Sequence, residues 1–286
     1  MTALITSARR AFHERLVAEG VLSVGADNIA SNADRSQGTS RTIALGIVEQ
    51  LGAAKSGKHA GQRAGKLFES AVADFIADTF PHLQRLRPGN WRVANFGSSR
   101  REYQLSRFVP YTHLASLASA IEHDSSLSTI LGNSYEISPD IVVLRHPESD
   151  PTINRDQQIV DDKYATLSPI RERFQTEEIV HAVISCKWTL RSDRAQNARA
   201  EALNLIRNRK GRTPHISVVT AEPTPSRIAS LALGTGDMDI VYHFALPELR
   251  AAIVALGNDE VLAMLDVLID GNRLRDISDL PLDLAI

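Results

Sequence analysis

Ser138-Pro139-Asp140 heads a short apolar run at residues 141–144, and a second apolar run ends in Val183-Ile184-Ser185-Cys186-Lys187. Both runs read as strands. Successive strand side chains point to opposite faces, so Ser185 and Lys187 share one face while Ile184 and Cys186 take the other. A carboxylate, a small hydroxyl and an amine can therefore converge. Metal-assisted cleavage of a phosphodiester needs that set: a carboxylate to hold a hard divalent cation, the cation to polarise the phosphate and acidify a water, and a lysine to orient or deprotonate that water. Taken alone, the same residues also describe a solvated carboxylate and a snorkelling amine. Asp161-Asp162-Lys163 also offers an Asp, any residue and a Lys, but only Ile159-Val160 precedes it and loop-like sequence borders it, so it reads as a charged turn.

Trp188-Thr189-Leu190 follows the lysine, then Arg191-Ser192-Asp193-Arg194, and then a helical pattern with Ala195, Ala198, Ala202, Leu205 and Ile206 on its apolar side. Ser192 or Asp193 is the expected N-cap. Arginine pairs bidentately with guanine O6 and N7 in the major groove, and a carboxylate accepts from cytosine N4. Two arginines and an aspartate at one helix start therefore suit a run of C and G, with an exposed salt-bridge cluster as the alternative. Glu201 lies two turns beyond Arg194 on nearly the same helix face, from which it can return towards Lys187. Read by itself, it is a solvated helical glutamate.

Together, Ser138-Pro139-Asp140, Ser185-Cys186-Lys187, Arg191-Ser192-Asp193-Arg194 and Glu201 resemble the CCGG family of type II restriction endonucleases. In that variant of the PD-(D/E)xK nucleases, the acid two residues before the lysine is displaced to the following helix. Ser185 stands where that acid would be, and Glu201 is its expected replacement. The resemblance implies a Mg2+ cofactor, with Asp140 bridging the metal ions, Glu201 and the Cys186 backbone carbonyl as further ligands, Lys187 on the scissile phosphate and attacking water, and Ser185 completing the site. A further catalytic glutamate from an N-terminal helix is implied, and Glu69 is the candidate. The Cys186 thiol reads as a small core group, since a buried thiol without a basic partner is inert.

The resemblance also implies that Arg191, Asp193 and Arg194 read CCGG. A longer site with outer G:C pairs needs other contacts. Arg227, following Pro223 and Pro225 at a helix start, is the candidate for the outer guanine, and Gln62 or Arg63 for the minor groove. The implied activity is cleavage of double-stranded DNA after the first G of GCCGGC by a homotetramer, a dimer of dimers. A structure-specific or repair nuclease of the same fold, and a DNA-binding protein without catalysis, are the other readings. The first has no use for the Arg191 to Arg194 segment.

These side chains need a frame. Apolar positions recur at helical spacing over residues 3–19, 41–51, 62–80 and 114–131, with a strand-like alternation at 91–96. Past residue 140 the pattern becomes strands at 141–144, 179–187, 216–220 and 240–244. Helices fall at 194–208, 226–233, 247–256 and 260–268, and residues 147–158 read as a loop. The expected fold is α/β: a restriction-endonuclease-like mixed sheet flanked by helices, in one domain over 1–286, mainly helical over 1–90 and holding the catalytic sheet over 91–286. With 43% hydrophobic and 23% charged residues the chain can bury a sizeable core. The net charge of −2 disfavours coating DNA by charge alone, but 32 Lys and Arg allow local basic sites. One cysteine excludes an intrachain disulfide and a cysteine-built zinc site. No apolar run is long enough to span a bilayer, and the N-terminus lacks a signal-peptide pattern, so the expected location is the cytoplasm. No Gly-rich phosphate loop follows a strand, which disfavours a nucleotide-binding protein.

Overall fold

The structure, a computed structural model, describes residues 2–52, 61–96, 105–123, 139–234 and 236–286. Ser138 and the end of the helix expected to reach residue 131 lie outside them. The frame is one six-stranded sheet in the order β1-β2-β3-β4-β5-β6. Strands β1 (Trp91–Asn95), β2 (Ile141–Arg145) and β3 (Ile179–Lys187) pair antiparallel. From β3 onward, β4 (His215–Thr220), β5 (Ile240–His243) and β6 (Leu274–Asp276) run parallel. The sheet is mixed, as expected. Ile141, Val142, Val143 and Leu144 are each fully buried, which is why β2 reads as an unbroken apolar run rather than an alternation.

Helices α1 (Leu4–Ala18), α2 (Gly38–Gln50) and α3 (Gly61–Ala77) precede the sheet, and α4 (His113–His123) lies between β1 and β2. The apolar stripe of α3 buries Ala64, Phe68, Ala71, Val72, Phe75 and Ile76, and α3 lies against α1, β1 and β3. This helix stops earlier than the periodicity predicts. Residues 80–82 form a 3-10 turn whose Pro81 disfavours the helical conformation at Phe80, and the Thr79 hydroxyl donates back to the Phe75 carbonyl at 2.6 Å.

The segment between β2 and β3 is also more ordered than a loop. Residues Asp150–Ile153 form one helical turn, α5, capped by the Ser149 hydroxyl. Arg171, fully buried, holds the Asp150 carboxylate at 2.7 and 2.9 Å and donates to the carbonyls of Asp161 and Tyr164. The polar composition that reads as loop is thus consumed internally. Asp161, Asp162 and Lys163 are exposed in a bend, as the charged-turn reading expects.

Helix α6 (Ser192–Asn208) follows β3, α7 (Pro225–Ala232) follows β4, and α8 (Leu246–Leu256) and α9 (Asp259–Asp270) lie between β5 and β6. The expected N-cap of α6 is corrected: Arg191 takes that place, in extended conformation and without a side-chain cap bond. Its carbonyl already accepts the Ala195 N–H at 3.0 Å, so Ser192 and Asp193 fall inside the first turn. Strand β6 was not anticipated. It is three residues long, and its buried Asp276 is paired with Arg9 of α1 at 2.8 Å, so polarity conceals an interior position.

Phe68 ties α3 to the end of β3: it is fully buried, with its ring 5.0 Å from that of Trp188. Phe68→Ala is expected to lower the unfolding free energy by about 3–5 kcal/mol, as for other buried aromatic truncations, measured by urea denaturation. A loss below about 1 kcal/mol would show that α3 is not anchored there.

Candidate active site

The antiparallel register sets Ile141 opposite Ile184, and continuing it brings Asp140 beside the end of β3. There Asp140 Oδ2 accepts the Cys186 backbone N–H at 2.7 Å and the Lys187 ammonium at 3.1 Å. Glu201 arrives from α6, with its Oε2 accepting from the Ser185 hydroxyl at 3.1 Å and lying 4.0 Å from Lys187 Nζ. Residues from two strands and a helix thus share one amine. The strand alternation holds: Ser185 and Lys187 face the acids, while the Cys186 thiol is buried, and burial pushes its pKa well up.

Burial works to lower the Lys187 pKa, but the Asp140 and Glu201 carboxylates outweigh it and hold the amine above its usual value. Lys187 is therefore charged at neutral pH. Glu201 is pushed up, first by burial and then by Asp140, against the pull of Lys187 and Ser185. Glu69, on α3, feels the same group. Burial and the Asp140 charge push it to about 7 although Lys187 and Lys66 pull it down. Among the described residues, no three His, Cys, Asp or Glu side chains converge tightly enough to enclose a metal ion. The donor set nevertheless fits a hard cation held by few protein oxygens, because carboxylate oxygens of Asp140 and Glu201 both lie within 4.0 Å of the Lys187 amine.

Beyond Lys187 the chain lines a cleft of about 580 Å³, with Thr189, Arg191 and Arg194 on one side and Asp34, Arg35 and Ser36 on the other. Arg191 and Arg194 are exposed, and Arg194 Nη1 donates to Thr189 Oγ1 at 3.0 Å. Arg63 is exposed at the start of α3, whereas the side chains of Gln62 and Asp193 lie outside the described residues. Arg227 is in the first turn of α7, where its guanidinium pairs with Asp34 and lies 3.8 Å from Glu222. Asp34 and Glu222 were missed by the sequence reading. Asp34 sits in an aperiodic polar stretch, Asn32 to Ser36, whose only signal is composition, and Glu222 directly follows an apolar strand, where an acid ordinarily reads as solvated.

The family model of the NgoMIV restriction enzyme matches residues 12–286 of this chain. The type II restriction enzyme NgoMIV of Neisseria gonorrhoeae is 47% identical over 287 residues, covering all of both chains. Among solved structures, a restriction endonuclease PspGI complex with substrate DNA aligns over 99% of this chain and 92% of that one. At 14% identity and a TM-score of 0.26, that likeness carries no weight.

A carboxyl pKa of about 7 in the folded chain, against about 4.3 unfolded, means that the folded state holds the extra proton between those values. Stability contributed by Glu69 is therefore lost as pH rises through that window. With chelator present, Glu69→Gln is expected to raise the urea midpoint relative to wild type at pH 8 and to raise it much less at pH 5, near the lower end of that window. Equal effects at both pH values would remove Glu69 from the charge cluster.

Proposed function

The chain belongs to the NgoMIV restriction enzyme family and is a type II restriction endonuclease, and on that footing we propose that it cuts GCCGGC after the first G in a Mg2+-dependent reaction. The observation that carries the site assignment is the meeting of Asp140, just ahead of β2, and Glu201 from α6 at the Lys187 amine. Asp140 and Glu201 would hold Mg2+, which when bound polarises the phosphate and acidifies a coordinated water. The Cys186 carbonyl is a fitting third donor. A strand residue sends its N–H and C=O to the same edge, and the Cys186 N–H already points at Asp140.

Lys187, held charged by its two carboxylates, contacts the scissile phosphate and orients the attacking water. Ser185 fixes Glu201 through its hydroxyl, and Glu69, titrating near neutrality, suits proton exchange with water in the site. Arg191, Asp193 and Arg194 read the CCGG bases. Arg227 reads the outer guanine, with Asp34 beside it as a carboxylate of the type that accepts from cytosine N4. Arg63 or Gln62, at the N-terminal end of α3, probes the minor groove.

A palindromic target calls for two subunits about a two-fold axis, and we extend this to a dimer of dimers acting on two copies of the site. One apolar core from Phe12 to Leu284 supports a single domain over 1–286. No helix among the described residues is long and apolar enough to cross a membrane, and we place the enzyme in the cytoplasm with its DNA.

Plasmid DNA carrying GCCGGC beside other CCGG sites is expected to be cut with Mg2+ at GCCGGC alone, as read by sequencing fragment ends. Cuts at a different CCGG set would reject the outer-pair assignment. Asp140→Ala and Lys187→Ala should each lower the cleavage rate roughly 10²–10⁴-fold while leaving site-specific binding in place, and near-wild-type cutting by either would sink the active-site reading. Asp193→Ala should cost about 1–3 kcal/mol of discrimination between GCCGGC and random DNA in gel-shift titrations. Equal losses on the two DNAs would refute its reading role.

A further inference from the structure

Arg227 and the Arg191 to Arg194 segment follow different strands, yet a six-base-pair site must be read in one frame. The group between them is Glu222, two residues past β4 and 1% exposed. Its Oε2 accepts the Leu190 N–H at 2.9 Å, at the entrance to Arg191, and its Oε1 accepts the Thr224 N–H at 3.1 Å, at the cap of α7. The same Oε2 lies 3.8 Å from Arg227 Nη1, while Arg227 Nη2 pairs with Asp34.

The links extend further. The Glu222 N–H donates to the Thr220 hydroxyl at 3.2 Å, and that hydroxyl donates to the Lys187 carbonyl at 2.8 Å. Beside it, fully buried Asn32 donates to the Ala221 carbonyl at 2.9 Å, which ties the 31–36 side of the cleft to the same point. The two sides of the cleft and the start of α7 are therefore joined within residues 220–224. A carboxylate is costly to bury unless its oxygens are satisfied, and here one oxygen is met by the segment that leads into Arg191 and the other by the cap of the helix that carries Arg227.

We propose that Glu222 is a positioning residue for base recognition, setting Arg227 at a fixed place relative to Arg191 and Arg194 so that the inner CCGG and the outer G:C pairs are read as one unit. This rests on Arg227 being the reader of the outer guanine. Bidentate pairing demands two aligned N–H groups, whereas contact with phosphate does not, so a loosened Arg227 keeps binding DNA but stops telling guanine from other bases. A glutamine at 222 keeps one acceptor oxygen and turns an NH2 donor towards a backbone N–H or towards Arg227, which breaks the junction without changing its size.

The test compares kcat/KM on duplexes bearing GCCGGC, ACCGGT, TCCGGA and CCCGGG, with GCATGC as an inner-pair control. The enzymes are wild type, Glu222→Gln, Arg227→Ala and the double variant. Glu222→Gln is expected to cut the preference for GCCGGC over the outer-pair variants roughly tenfold or more, to keep the preference over GCATGC, and to add nothing in the Arg227→Ala background. A uniform loss on every duplex, a lowered melting temperature with outer preference intact, or additive effects in the double variant would each overturn the proposal. Should Glu222→Gln not fold, Glu222→Asp decides. It keeps the charge but is one methylene too short to reach both amides, and full retention of outer preference overturns the proposal while partial loss supports it. If wild type shows no outer preference, or Arg227→Ala retains it, the outer-guanine reading fails first, and that is seen before any Glu222 variant is measured.

Discussion

Asp140 carries its charge where the sheet leaves little water to solvate it: its side chain is 20% exposed and that of its partner Lys187 is 15% exposed. Such a pair holds only if hydrogen bonds satisfy both ends, since desolvation otherwise exceeds the attraction. Those ends are met by the Cys186 amide, which fixes Asp140 to the backbone of β3, and by Glu201, which brings α6 over the amine. The antiparallel register of β2 on β3 is what allows the first contact, and a slip by one residue would send every side chain of the strand to the wrong face. Order in the site is thus a property of strand pairing, and the apolar packing of β2 and β3 is what protects it.

The charge balance of that cluster is incomplete, and the shortfall is informative. The carboxylates of Asp140, Glu201 and Glu69 are set against Lys187, with Lys66 also acting on Glu69, and Glu201 and Glu69 are pushed upward in pKa, first by burial. Carboxylates in excess of the amines beside them are a donor set that a divalent cation would complete. Held charged by Asp140 and Glu201, Lys187 suits donation to a phosphate oxygen or water rather than service as a resting base.

Much of this was legible in the residues. The strands 141–144 and 179–187 and the stripe of α3 follow from periodicity, since burial on both faces demands apolar runs and burial on one helix face demands the 3.6 spacing. Strand alternation and helix pitch allowed Asp140, Ser185, Lys187 and Glu201 to converge, but it was the resemblance to the CCGG family that picked them out from solvated side chains. What was not legible depends on pairing across the fold. Asp276 in β6, Arg171 under the 147–178 segment, Asp34 and Glu222 are charged residues that composition assigns to solvent, and each is withdrawn from it only because a distant partner meets it. The N-cap of α6 was missed for a related reason: the Leu190 N–H is engaged by Glu222, and Arg191 is held extended beside it, so the helix begins at Ser192 whatever the cap preferences of its side chains.

Chain continuity then joins chemistry to reading. Lys187 ends β3, and only Trp188, Thr189 and Leu190 separate it from Arg191. None of the three is free to drift: Trp188 is buried against Phe68 and Phe244, Thr189 accepts from Arg194, and the Leu190 amide is held by Glu222. A displacement of Arg191 and Arg194 must therefore be transmitted to the lysine, or be absorbed by breaking one of those contacts. An enzyme that must cut one sequence and spare its near relatives gains from that stiffness. A misaligned phosphate one ångström from its place loses much of the rate that positioning provides, so a wrong base pair is penalised in the chemical step as well as in binding.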